Sequence, residues 1–102
     1  MCKYKFSTRE VFTVDGKEIE RIIQAEYGQK YDIWSMEYAH NNYNSYHVPH
    51  VVFDKPFLEF EQEKLNWFVA TGKGDYLLYV LMQDMCNKKI IPEGVYLIVV
   101  DE

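Results

Sequence analysis

Asp15-Gly-Lys-Glu-Ile-Glu-Arg-Ile-Ile-Gln-Ala-Glu-Tyr-Gly28 is the stretch on which the fold class turns. Asp-Gly behind an extended run favours a two-residue hairpin. Asp15 with Glu18 three residues on is also the pattern of a helix N-cap with a capping box. The residues beyond decide for the helix, because Ile19, Ile22, Ile23 and Tyr27 recur at the spacing of one helical face and Gly28 is a natural stop. Upstream, Arg9 to Val14 is rich in β-branched and aromatic types and reads as a strand.

Outward from there, Lys30 to Tyr38 sets Ile33, Ser35 and Glu37 against Trp34, Met36 and Tyr38, the alternation of a half-buried strand. Ala39 to Tyr46 holds three asparagines and a serine and reads as an exposed loop. His47 to Phe53 is extended, but Pro49 has no N–H to give a ladder, which places that strand at a sheet edge or on a bulge. Asp54-Lys55-Pro56 opens a helix to about Thr71, with Leu58, Leu65, Phe68 and Val69 as its expected core stripe and Glu59, Glu61 and Glu63 towards its positive end.

Thr71-Gly72-Lys73-Gly74 breaks the chain, and Asp75 is the expected cap of a second helix from Tyr76 to about Asn87. Leu77, Leu78, Val80, Leu81, Met82 and Met85 cover nearly every face of that helix, which makes it central. Lys88 and Lys89 suit its negative end, Pro92-Glu93-Gly94 is a turn, and Val95 to Val100 is a continuous β-branched run for a buried strand. The predicted architecture is a single α+β domain over residues 1–102. It has a mostly antiparallel or mixed sheet of about four strands with two or three helices packed on one face.

Composition agrees with one ordinary domain: 102 residues, 48% hydrophobic and 26% charged, too apolar for a disordered chain. Eleven basic against sixteen acidic residues give a net charge of −5, which disfavours direct contact with nucleic-acid phosphates and suits a protein partner with a basic surface. Cys2 and Cys86 are read as reduced thiols. The start Met1-Cys2-Lys3-Tyr4-Lys5 has no apolar run behind its lysines, and the longest apolar run, Tyr76 to Met82, is too short to span a bilayer. The expected location is the cytoplasm, of the protein's own cell or of a host.

Catalytic signatures are poor. His40, His47 and His50 are the side chains best suited to zinc, but residues three apart on an extended segment point to opposite faces, so no metal or cofactor is expected. A nuclease of the His-Asn-His type would need a hairpin followed by a helix, and here more extended chain follows His50. The Thr71 to Asp75 stretch lacks the spacing of a phosphate loop and reads as a helix–helix turn. Glu59, Glu61 and Glu63 read as a solvated charged face, since on a helix they spread around the axis.

What remains is an aromatic content of 17% with nine tyrosines. Tyrosine mixed with asparagine and serine gives contact area at low entropic cost with adaptable hydrogen bonds. The leading expectation is therefore a small acidic, non-enzymatic protein-binding module that meets its partner through Tyr38, His40, Tyr43, Tyr46, His47, Glu59, Glu61 and Glu63. An inhibitor occupying a nucleic-acid site, in the manner of small phage-encoded counter-defence proteins, is a special case of it. Two alternatives stand beside it: a small metal protein or nuclease-like enzyme centred on the three histidines, and a subunit that forms a homodimer through its proline-bearing edge strand.

Overall fold

The computed structural model describes residues 2–6, 11–33, 45–74 and 76–100. Val14 enters the core at the end of β1 (Phe12–Asp15), and the chain turns at once into α1 (Gly16–Tyr27). The helix reading of Asp15-Gly16 holds: the Asp15 carboxylate accepts the Lys17 N–H at 2.8 Å, and Gly28 closes the helix at φ 72° with its N–H donated to the Gln24 carbonyl. The capping box does not form, because Glu18 is engaged by Arg21 one turn on. Ile19, Ile22 and Ile23 are buried as their spacing requires. Where a strand was expected, residues 30–32 carry no regular structure and Ile33 is helical and buried, and the rest of that stretch, 34–38, lies outside the described residues.

The remaining elements are β2 (Ser45–Val51), α2 (Glu59–Thr71), α3 (Leu78–Asn87) and β3 (Gly94–Val99). Three strands form a mixed sheet in the order β1-β3-β2, so the β-branched run near the C-terminus takes the middle place. β1 runs parallel to β3 and β2 antiparallel to it. Val14, Val48, Tyr96 and Ile98 point to one face and join the helices in a single core, an α+β arrangement; among the described residues three strands appear, not four.

β2 bulges where Pro49 stands. Val48 pairs with Tyr96 and Val51 with Gly94, so three steps on β2 match two on β3. The extra residue keeps both Val48 and Val51 buried, although residues three apart on a regular strand would face opposite ways. Pro49 thus sits both at an edge of the described sheet and at an irregularity, where its missing N–H costs no ladder bond.

α3 is wrapped by protein along nearly its whole length, with Leu78 and Val80 to Cys86 all buried. It starts two residues later than expected, because Tyr76 has φ 54° and cannot be helical; Leu77 takes the N-cap position, and Asp75 lies outside the described residues. Burial forces its polar side chains to find partners. Gln83 and the Val52 backbone exchange two hydrogen bonds (2.5 and 3.2 Å), and Asn87 does the same with the Lys55 backbone (2.7 and 3.0 Å), so the chain leaving β2 is held like a strand paired to two amides. Asp84 takes the Tyr27 hydroxyl at 2.5 Å and the Lys88 ammonium at 2.9 Å.

α2 is attached from outside. Only Leu65 and Phe68 are buried, with Phe68 edge-on to Tyr27 and Tyr31, and Gln29 reaches across to the Val69 carbonyl. The expected stripe is corrected at both ends. Leu58 precedes the helix as its N-cap and is exposed, and Val69, one helical step round from Phe68, emerges at the rim.

Gly94 and Gly28 separate two costs of adding a methyl group. Both have positive φ, 155° and 72°, but a Cβ at Gly94 would lie 2.7 Å from the Phe12 ring while one at Gly28 meets open space. Gly28→Ala is expected to cost about 1 kcal/mol from backbone conformation alone, and Gly94→Ala about 1–3 kcal/mol more from the clash. Urea denaturation of the two variants checks this, and equal losses would show that Phe12 does not press on Gly94.

Candidate interaction surface

The expected contact residues separate on the structure. Tyr38, His40 and Tyr43 lie outside the described residues. Tyr46 pairs with Ile98 across β2 and β3 and is half-buried against the core. His47 is exposed opposite Leu97. His50 is exposed as well, so the inference that three-residue spacing sends the two imidazoles to opposite faces is corrected by the bulge, which leaves both on the solvent side. No group of three metal-capable side chains occurs among the described residues.

The acidic trio is helical, and its members do different work. Glu59 and Glu63, one turn apart, are exposed on the outer side of α2. Glu61 turns back and accepts the Leu58 N–H at 3.0 Å, half of a capping box, since leucine has no oxygen to return the bond.

The surface that sequence reasoning missed lies on the same helix. Leu58 (61% exposed), Phe60 (56%) and Trp67 (58%) stand in solvent, joined by Tyr76 (63%) from the turn before α3. Phe60, Lys64, Trp67 and Thr71 fall at i, i+4, i+7 and i+11, one stripe beside the buried one formed by Leu65 and Phe68. The signal was legible: two large aromatics seven residues apart share a helix face that the expected core stripe leaves unclaimed.

At the C-terminal end of this stripe, Lys64, Trp67, Lys73, Gly74 and Tyr76 line a cleft of about 480 Å³. The turn that shapes it is the helix–helix connection expected from sequence. Gly72 closes α2 at φ 76° with its N–H on the Phe68 carbonyl, and the Thr71 hydroxyl bonds the Trp67 carbonyl and receives the Lys73 N–H. Tyr76 then adopts φ 54°, an uncommon conformation for an aromatic residue, held by the full burial of Leu77 beside it.

Groups suited to chemistry are mostly disarmed. Burial pushes the Cys86 thiol up from 9.0 to about 12, so it is a protonated core residue and no nucleophile at neutral pH. Tyr27 and Tyr96 are also raised, first by burial and then, for Tyr27, by the Asp84 carboxylate that holds its proton. Glu20 is raised by partial burial, but its carboxylate is occupied by the Ile33 N–H at 2.9 Å. It borders a second, charge-lined cleft with Lys17, Arg21, Lys30 and Asp32. No helix among the described residues is long and apolar enough to cross a membrane.

These shifts set a direction for alkaline stability. Cys86, Tyr27 and Tyr96 each bind their proton more tightly folded than unfolded, so the unfolded chain ionises first and stability falls as pH rises from about 9 through about 12. At pH 8, iodoacetamide is expected to alkylate half-buried Cys2 in the folded chain and Cys86 only after unfolding; equal native rates would contradict the burial argument. No protein-family model matches the sequence, and no curated protein or solved structure matches it.

Proposed function

We propose that the chain is a non-enzymatic protein-binding module whose contact face is the outer side of α2. One observation carries this reading: a thirteen-residue helix that buries only Leu65 and Phe68 while leaving Phe60 and Trp67 in water. Large aromatics on a helix face with polar side chains around them are the anchors that protein interfaces use. Burial of Phe60 and Trp67 in a partner recovers hydrophobic free energy that the isolated fold leaves unused. Glu59 and Glu63 border the stripe and favour a basic surface on the partner, in keeping with the net charge of −5. The free thiols Cys2 and Cys86 suit a reducing compartment, the cytoplasm.

The competing readings draw less support. His47 and His50 are exposed with no third metal-capable group beside them among the described residues, which gives an enzyme little to build on. Pairing of two copies through β2 meets Pro49 and the bulge, both of which blunt an edge.

Capture from the lysate of the native host, with the wild-type chain and variants compared side by side, tests the reading. Phe60→Asp is expected to lose the partner by about 30-fold or more, the loss of an anchor worth about 2 kcal/mol. Glu59→Lys with Glu63→Lys is expected to weaken capture and invert its salt dependence. Undiminished capture by a folded Phe60→Asp variant would overturn the assignment of α2, as would light scattering showing that this face is covered by a second copy of the chain.

A further inference from the structure

The cleft at the end of α2 differs in sign from the rest of that helix. Lys64 and Lys73 line it, and among the described residues neither makes an ion pair, which is also the case for Lys5, Lys17, Lys30 and Lys89. The Trp67 indole N–H and the Tyr76 hydroxyl also have no hydrogen-bond partner among the described residues. Four side chains that can donate therefore border one cleft between two exposed aromatic rings. Two of them are cations, and the indole N–H can only donate.

Such a lining selects a ligand that accepts hydrogen bonds, bears negative charge and offers an apolar body to the rings. Resting on the protein-binding reading above, we propose that the cleft takes an acidic linear segment of the partner protein. An Asp or Glu carboxylate lies between Lys64 and Lys73, and a neighbouring aromatic or aliphatic side chain packs on Trp67 and Tyr76. A nucleic acid offers anions and stacking bases as well, but Glu63 stands one turn from Trp67, and a phosphate backbone tracking the helix would run past Glu63 and Glu59 on a chain of net charge −5. A short peptide presents its carboxylate at one point and avoids them.

The partner is then bipolar. Its basic patch covers Glu59 and Glu63, and its acidic segment enters the cleft that starts at Lys64, the residue after Glu63, and reaches Lys73 beyond the end of α2. Carboxylates in the first turns of α2 and lysines at mid-helix and beyond its end favour one direction for a partner lying on it, since the reversed orientation sets like charges together. The Tyr76 backbone, at φ 54° and next to buried Leu77, sets where its side chain leaves the chain at the cleft.

A randomised peptide display, selected on the wild-type chain and compared with the double variant Lys64→Glu, Lys73→Glu, tests the inference without any cellular partner. Expected are enriched peptides that place Asp or Glu beside an aromatic or aliphatic residue. Their binding is expected to drop at least tenfold for the double variant, for Asn or Gln versions of the peptides and at high salt, with the Trp67 indole resonance shifting on titration. Enrichment without acidic residues, binding retained by the folded double variant, absence of enrichment, or stronger binding of a single-stranded oligonucleotide would each overturn it. The two proposals fail separately: host-lysate capture lost by Phe60→Asp but kept by the lysine double variant leaves the α2 interface standing and removes the acidic segment.

Discussion

The burial of α3 is the constraint from which the rest of the structure follows. A helix with apolar residues on nearly every face has no side to give to water, so sheet, α1 and the chain after β2 close around it. Its two buried polar residues, Gln83 and Asp84, then need partners, and their needs shape distant parts of the chain. Gln83 and Asn87 hold the backbone at Val52 and Lys55, fixing where the chain leaves the sheet. Asp84 ties down Tyr27 and so the end of α1.

α2 inherits what is left. With the inner places filled, it attaches through Leu65, Phe68 and the bridge from Gln29 to Val69. Its other aromatics stay outside, and the carboxylates of its first turns are followed by Lys64 at mid-helix and Lys73 beyond its end. With α3 central and the isoleucine face of α1 also in the core, α2 buries only two side chains and leaves the rest of its apolar surface outside.

Local features were legible from the residues. Asp15 and Gly28 marked both ends of α1, the apolar run from Leu77 to Met85 marked the central helix, and Pro49 marked an edge and a bulge, because each of these acts through its own backbone or its nearest neighbours. Long-range facts were not. Nothing in Phe12 to Asp15 announces parallel pairing with β3, and Gln83 and Asn87 look like surface polar residues until the backbone of residues 52–55 is brought to them. The proposed interaction surface was half legible: Glu59 and Glu63 were expected outside and are, whereas the exposure of Phe60 and Trp67 depends on which side of α2 the fold leaves open.

The claim that the outer side of α2 is the working face is most directly measured by covalent footprinting of the chain alone and saturated with its captured partner, with labelling read by mass spectrometry at each aromatic residue. Protection concentrated at Phe60, Trp67 and Tyr76, with His47 and His50 unchanged, is the expected result. Unchanged labelling at those three aromatics together with protection on the outer side of the sheet would contradict the account.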